Sequence, residues 1–439
     1  MTFAFGVKNH EARFVADCST TQISAPPVIS REAIASLENA IRLCGAMGDD
    51  ERWKRREEAL QLQLGQALIA NRGYQAPAAL RAFERALVLA EQIGDVSSAI
   101  PALFGQWAYH YIGGTSTGEL AQRFAALAET RAETGPRLVG FRMLALERFH
   151  EGHFEESLAL LKKAVDSYDP IAHRDLAHRF GHDPRIAAAN YQAWSLWHLG
   201  FPDQAARISE DNLSWTREIE HANTTGLALC YGVTITNIWL RRPDRVETAA
   251  REGVRFAEEM SLALWHAFGL IHLGWALSQQ GTALGLDEIE LGLREVEQIG
   301  AGRLKPLHFS LAADAYSRAA RHDDALGSID KAFAALAHGH DLALAAELHR
   351  RRAALLLCAS SGDRGAAEVD LRLALEIARQ QKAKSLELRA ARDLARVMAE
   401  RGERKQAADL LSPVYRGFTE GFDTLDLKEA KALLDQLCA

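Results

Sequence analysis

Apolar residues recur at helical spacing along most of the chain. Beginning at Arg31, they fall three and four positions apart, as at Ile34, Leu37 and Ile41, so that they share one face of a helix. Gly45 marks the end of this first helix, because glycine tolerates the backbone conformations that follow a helix. The pattern predicts a chain of helices joined by short turns.

A row of small, large and small residues recurs in every second predicted helix. Residues four and three apart share a helix face, so the small residues let two helices approach while the large residue fills the adjacent groove. The clearest rows are Ala79, Phe83 and Ala86; Ser157, Leu161 and Ala164; Ala325, Ile329 and Ala332; Ala367, Leu371 and Ala374; and Ala407, Leu411 and Val414.

The rows repeat with a nearly fixed period. Their first residues are separated by as few as 36 positions, from Ala121 to Ser157, and by as many as 48, from Ser157 to Ala205. Weaker copies are predicted in the regions of Ala249 and Leu286. A fixed period is typical of helix hairpins stacked into a solenoid, and the predicted fold is an all-α, right-handed solenoid of roughly nine helix pairs.

The two ends differ from the repeats. Residues 1–30 lack a helical period and end in a Pro-Pro breaker, which predicts a flexible N-terminal arm ahead of a solenoid spanning 31–437. Apolar residues at helical spacing from Leu427 to Leu437 predict a last helix. A solenoid needs such a capping helix, because its last repeat would otherwise expose the face that each neighbour buries.

The spacing of glycine, aromatic, alanine and large apolar residues resembles tetratricopeptide repeats, in a long variant similar to that of bacterial maltose regulators. Segments 168–174, 181–184, 199–205, 383–390 and 415–423 resemble the C-terminal repeat region of bacterial signalling ATPases, in which a nucleotide cyclase or winged-helix domain precedes an ATPase module. The resemblance covers about 31–437 and implies a role in bacterial signalling or transcriptional regulation.

The chain departs from those ATPases in one informative way. It contains no G-x-x-x-x-G-K-[ST] loop, so nothing in it can hold a triphosphate in the P-loop manner, and no cyclase or winged-helix segment fits ahead of Arg31. The repeat region is therefore expected without its catalytic domains, as a stand-alone protein or as a fragment of a larger ATPase.

The distribution of charge argues against one class of partner, and the spacing of the cysteines argues against a metal site. The net charge is −7 and the basic residues are interleaved with acidic ones, which argues against direct nucleic-acid binding. The 5 cysteines lie far apart without metal-ligand spacing, as in reduced cytosolic proteins. No apolar run approaches the roughly 18 residues of a membrane span. We expect a cytoplasmic protein that spans no membrane and holds no cofactor.

One segment, 168–184, interrupts the repeats and is rich in histidine and arginine. Three interpretations remain open: a structural loop in which Asp183 caps the next helix, which the pattern favours; a patch that contacts a ligand or partner; and a metal site, since two histidines one helical turn apart can bind zinc. The candidate residues are His173, Arg174, His178, Arg179, His182 and Asp183.

Aromatic residues concentrate in the first helices of the central repeats. Most are predicted to be core, because such helices pack against neighbouring repeats. First helices can also line the concave groove of a solenoid, where aromatic side chains bind peptides or small molecules. Tyr109, Tyr191 and Trp194 are the candidates for that role.

These patterns predict a non-catalytic scaffold that binds a protein or peptide partner in its concave groove. No G-x-S-x-G elbow or other nucleophile arrangement occurs. Two alternatives remain: a sensor that binds a metabolite in the central aromatic region, and a metal-dependent enzyme that uses the histidine-rich loop. The sequence carries no signal for the oligomeric state.

Overall fold

The computed structural model describes residues 31–48, 50–282, 284–339, 341–358 and 363–438, and the predicted N-terminal arm, 1–30, lies outside these residues. The described residues form α-helices, one π-helical segment (Ala228–Val233) and one 3-10 segment (Leu342–Leu344), with no strand among them. The helices are α1 (Arg31–Ala46), α2 (Glu51–Arg72), α3 (Pro77–Ile93), α4 (Val96–Gly113), α5 (Gly118–Glu129), α6 (Thr134–His150), α7 (Phe154–Asp166), α8 (Leu176–Phe180), α9 (Pro184–His198), α10 (Pro202–Ile219), α11 (Ala222–Leu227), α12 (Thr234–Trp239), α13 (Pro243–Glu259), α14 (Ala263–Gln279), α15 (Leu284–Ile299), α16 (Lys305–Arg318), α17 (His322–Gly339), α18 (Ala345–Cys358), α19 (Arg364–Gln380), α20 (Lys384–Glu400), α21 (Arg404–Arg416) and α22 (Leu425–Cys438).

Successive helices pack as antiparallel hairpins. In the described part of the chain the pairs are α2 with α3, α4 with α5, α6 with α7, α9 with α10, the α11–α12 helix with α13, α14 with α15, α16 with α17, α18 with α19, and α20 with α21. We call the first helix of each pair inner and the second outer. The last helix, α22, packs on α20 and α21 and buries Leu427, Ala430, Leu433, Leu434 and Leu437. The prediction of an all-α solenoid of tetratricopeptide-like hairpins with a capping helix is confirmed.

The small residues that define the period lie where the outer helices meet the inner ones. Ala205, Ala325 and Ala407 are fully buried, and each stands three positions after the first residue of its helix. The two weaker copies are shifted from the predicted residues. In α13 the buried row begins at Val246 rather than Ala249, and in α15 it begins at Gly285 rather than Leu286. A search for alanine misses both, because valine and glycine occupy the close-contact position.

The solenoid packs onto itself after about half of the chain. The amide of Gly302 donates to the carbonyl of Ile112 over 2.8 Å. The Ser385 hydroxyl bonds the Trp197 carbonyl, 188 positions away, and Arg241 pairs with a carboxylate 185 positions away in α22. These contacts join one superhelical turn to the next. They cover the inner helices, so that in α9 no residue is exposed.

The C-terminal half of this interior is filled by paired charges. Arg389, which is 3% exposed, bonds Asp426 at 2.7 Å, lies 3.6 Å from Glu347 and donates to the Trp239 carbonyl. Burial opposes ionisation of Glu347, yet the surrounding arginines hold its pKa well below the usual carboxyl range. The network contains Arg241, Arg350, Arg351, Arg389 and Arg392, with Asp314, Glu347, Asp393, Asp426 and Glu429.

Candidate functional site

The segment that interrupts the repeats folds into a short helix, α8, and a cap. The Asp183 carboxylate accepts a 2.9 Å hydrogen bond from the Ile186 amide at the start of α9, and its other oxygen accepts the Tyr168 hydroxyl at 2.7 Å. Pro184 occupies the first position of the helix, where its missing N–H costs nothing. Asp183 therefore has the capping geometry that the sequence predicts.

The three histidines of this segment turn toward different partners. His173 is buried and lies 2.6 Å from the Thr134 hydroxyl. His178 is exposed, with its ring beside that of His221. His182 follows a left-handed glycine and enters the interior of the solenoid. The structure does not bring them together.

The remaining candidates of the segment lie on its surface. Arg174 and Arg179 are exposed, and a guanidinium nitrogen of Arg179 is 3.7 Å from Glu133. No group of three or more histidine, cysteine, aspartate or glutamate side chains with metal-binding geometry occurs in the described part of the chain. Among these residues the histidines of segment 168–184 therefore do not form the metal site that the third interpretation requires.

The structure separates the three aromatic candidates. Trp194 is buried and donates its indole N–H to the Thr236 hydroxyl over 3.1 Å, which is a core role. Tyr109 is partly exposed on α4, and its carbonyl accepts a hydrogen bond from Gln75. Tyr191 is buried and faces a cavity inside the solenoid.

This interior cavity lies between five inner helices and the 301–304 turn. The space that water can occupy in it is about 60 Å³. Its walls contain eight aromatic side chains and two arginines, with no aspartate or glutamate among them. The lining residues are Tyr74, Phe104, Trp107, Ala108, Tyr111, Ile112, Arg142, Leu146, His182, Ala187, Tyr191, Leu227, Tyr231, Leu264, Trp265, Phe268, Arg303 and Leu304.

Three tyrosine hydroxyls meet at one wall of the cavity. Tyr191 bonds both Tyr111 and Tyr231, the latter at 2.6 Å, and the Nε2 atom of His150 lies 3.3 Å from two of the hydroxyls. Burial raises the pKa of each tyrosine, so all three stay protonated at neutral pH. On its far side His150 lies 3.1 Å from Asp341, which belongs to the next superhelical turn.

A π-helical segment places the third tyrosine. Residues Ala228–Val233 interrupt the inner helix formed by α11 and α12, and Tyr231 lies within this interruption. At Gly232 a Cβ atom would collide with the side-chain amide of Asn190 on α9, so a larger residue there would require that amide to shift. π-Helical turns are rare and occur often at functional sites.

Arg142 is the least satisfied polar residue of the cavity. It is 3% exposed, and its Nη1 atom donates to the Nε2 atom of His182 over 2.7 Å, while Nε and Nη2 have no acceptor. Burial, with the nearby Arg142 and His221, lowers the pKa of His182 well below its ordinary value, which fits a neutral ring that accepts this bond. The guanidinium also lies 5.3 Å from the centre of the Trp107 ring.

The second arginine of the cavity is satisfied by backbone carbonyls. Arg303 donates from Nε to the Tyr111 carbonyl at 3.1 Å and from Nη2 to the Thr115 carbonyl at 2.8 Å. Its guanidinium covers the Tyr111 ring at 4.8 Å. Arg303 thus joins α4 to the following superhelical turn by hydrogen bonds. Residues of both turns therefore line the cavity.

Sequence reasoning identified Tyr191 and His182 but missed Arg142, Arg303 and Tyr231. A signal for Arg142 existed, because it follows Leu138 and Val139 by four and three positions on an apolar helix face. A buried arginine in such a row needs a partner. The role of Arg303 depends on a contact with residues about 190 positions earlier, which no local pattern reveals.

No described helix is both long enough and apolar enough to cross a membrane. No protein-family model matches the chain. An uncharacterised protein of Rhizobium meliloti is 26% identical over 371 residues, which cover 82% of this chain and 35% of that protein. The chain therefore spans about a third of the length of this relative.

Two solved structures match most of the chain. A signal transduction ATPase with numerous domains from Pyrococcus horikoshii, which carries a tetratricopeptide-repeat sensor, matches with a TM-score of 0.46 and 15% identity over 89% of this chain and 55% of that one. A Rap protein in complex with Competence and Sporulation Factor matches with a TM-score of 0.53 and 11% identity over 87% of this chain and 99% of that one. The chain shares the helical-repeat fold of the Rap protein.

Proposed function

We propose that the protein is a non-catalytic sensor scaffold of bacterial signalling or transcriptional regulation. A small ligand binds in the interior cavity, and a protein partner recognises the resulting change in the shape of the outer surface of the solenoid. The observation that carries this proposal is the cavity itself, which is aromatic and lined by a buried arginine with unsatisfied donors. Pockets that join apolar walls to a few converging polar groups are typical ligand sites.

Enclosure of the inner helices favours an internal ligand over a long peptide in an open groove. The inner face of α9 is covered, and the turn at Gly302 is hydrogen-bonded to the end of α4. A peptide lying along the inner helices would have to separate these superhelical turns. A small molecule in the cavity requires only that lining side chains shift.

The cavity is placed where occupancy can change the shape of the solenoid. Arg303 and Asp341 come from the later turn, whereas Tyr111 and His150 come from the earlier one. A ligand that contacts both sides binds one arrangement of the two turns better than others, and it shifts the population toward that arrangement. Because repeats contact their neighbours, the change extends along the array. The Rap complex shows that a protein of this fold takes a factor as its ligand.

Hydrogen–deuterium exchange tests the proposal. The protein is incubated with the small-molecule fraction of an extract from the cells that produce it. We expect slower exchange in α4, α6, α9 and the 301–304 turn. Ala187→Phe, which fills the cavity, should abolish the protection, while Ala263→Phe on the exposed surface should not. Equal exchange with and without the fraction, or equal protection in the filled variant, would refute the proposal.

A further inference from the structure

The chemistry of the cavity indicates what kind of ligand it takes. Buried polar groups in folded proteins nearly always have hydrogen-bond partners. Arg142 breaks this rule twice, at Nε and at Nη2, although its side chain lines a cavity large enough for water. These two atoms lie on the same edge of the guanidinium group. Their N–H bonds run parallel and match the two oxygens of a carboxylate.

The charge of the residues that line the cavity also favours an anionic ligand. Burial lowers the pKa of Arg142 to about 10, so the group still carries its charge at neutral pH. Arg303 adds a second positive charge, and no aspartate or glutamate is among the described residues that line the cavity. A buried cation without a counter-charge is unfavourable. An anionic ligand would supply the missing charge.

Size and shape limit the body of that ligand. A water-occupied space of 60 Å³ holds about four to six waters. This free space is smaller than the roughly 150 Å³ of an apolar cavity that accommodates benzene, so the ligand has at most a single ring, which lining side chains must shift to admit. Trp107, Tyr231 and Phe268 are among the lining residues, and aromatic side chains can stack with a flat apolar group.

We propose that the interior cavity binds a small carboxylic acid with a single flat apolar ring, whose carboxylate receives parallel hydrogen bonds from Nε and Nη2 of Arg142. The ring lies against the aromatic wall, and the tyrosine hydroxyls at Tyr111 and Tyr231 border the carboxylate end. This proposal rests on the proposed function and adds the ligand class and its anchoring residue.

Binding of benzoate and phenylacetate to the full chain tests this inference, with benzamide as the neutral isostere of benzoate. Tryptophan fluorescence is the readout, because Trp107 and Trp265 line the cavity, and calorimetry is the second. We expect the acids to bind and benzamide to bind at least tenfold more weakly, since a charge-assisted pair is lost. This comparison uses the unmodified protein and does not depend on any variant folding.

Arg142→Met should lower the affinity for benzoate by roughly tenfold or more, and Arg142→Lys, which keeps the charge but not the planar fork, should lower it by less. Arg207→Met is the matched control, because it removes one positive charge from the exposed surface of α10. It should bind benzoate like the unmodified protein.

Three results would overturn the inference: equal affinity for benzoate and benzamide, unchanged benzoate affinity in Arg142→Met, or no binding of any acid in the series. A peptide with a free C-terminal phenylalanine that binds more tightly than the free acids would identify a chain end as the source of the carboxylate, which contradicts a small free acid. If the acids fail while the cell extract still protects the cavity, the ligand class is wrong and the proposed function stands.

Discussion

Replacing either of two buried arginines by methionine should have opposite effects on stability. Arg142 and Arg389 are both 3% exposed, and each guanidinium lies over a tryptophan ring, at 5.3 Å from Trp107 and 4.8 Å from Trp197. They differ in their counter-charges. Arg389 bonds Asp426 and lies near Glu347, whereas Arg142 has only the neutral His182 as an acceptor.

The magnitude for Arg389→Met follows from what it leaves behind. Removing one partner of a buried ion pair costs about 3–5 kcal/mol, because the other charge remains buried. Here Asp426 keeps Arg241 and Arg392, so the lower end of the range applies. The Trp239 carbonyl also loses its donor. We expect the free energy of unfolding to fall by about 3 kcal/mol.

For Arg142→Met we expect the free energy of unfolding to stay the same or to rise. Burial lowers the pKa of Arg142 from 12.5 to about 10, which corresponds to about 3 kcal/mol of destabilisation at neutral pH. Methionine removes this cost and fills similar volume. It also loses the bond to His182 and the contact with Trp107, each worth about 1 kcal/mol. The ligand-free variant should be as stable as the unmodified protein or up to about 2 kcal/mol more stable.

Urea unfolding at pH 7, followed by both tryptophan fluorescence and far-ultraviolet circular dichroism, measures the two effects. Coincident transitions by the two probes allow the midpoints to be compared as stabilities. A midpoint for Arg142→Met as low as that of Arg389→Met would show that Arg142 is a structural partner. The argument for an unfilled anion site would then fail.

Two further variants test packing and burial. Gly285→Ala places a Cβ atom 2.5 Å from the Gly274 carbonyl oxygen, and it should destabilise the protein by about 1–3 kcal/mol in a thermal melt. The control Gly327→Ala lies in open space on an outer helix and should stabilise the protein slightly. Equal shifts in the two variants would contradict the close approach of α14 and α15. Burial lowers the pKa of His272 to about 3, below the value of about 6.5 in the unfolded chain, so its contribution to stability is intact above pH 6.5 and is lost as the pH falls toward 3. His272→Phe should therefore reduce the loss of stability between pH 7 and pH 5 by about 2 kcal/mol in urea titrations, an effect that the exposed control His153→Phe should not show.

The fold was predictable because it depends on the local spacing of small and large residues along each helix. A small residue three positions into an outer helix, followed by a large one four positions later, can be identified without knowing any distant contact. The pattern weakened only where a residue other than alanine occupies the close-contact position. Val246 and Gly285 occupy the contact positions of α13 and α15, and a glycine allows an even closer approach than alanine does.

The candidate site was only partly predictable, because it forms between superhelical turns. His182 and Tyr191 were singled out from composition, but nothing local indicated that both face one cavity. That arrangement depends on Arg303, whose partners lie 192 and 188 positions earlier. The π-helical segment that contains Tyr231 also makes a close contact with a neighbouring helix, at Gly232, which no local pattern reveals.

The two halves of the interior differ in how buried charges are paired, and this difference supports the proposed function. In the C-terminal half, Arg389 and its neighbours are matched by carboxylates of the same chain, so that part is complete as folded. In the N-terminal half, Arg142 has two unsatisfied donors and lines a cavity whose lining holds no carboxylate. A buried charge that only stabilised the fold would be matched within the chain, as it is around Glu347. Under the proposed function the partner of Arg142 is a ligand, and its binding links two superhelical turns.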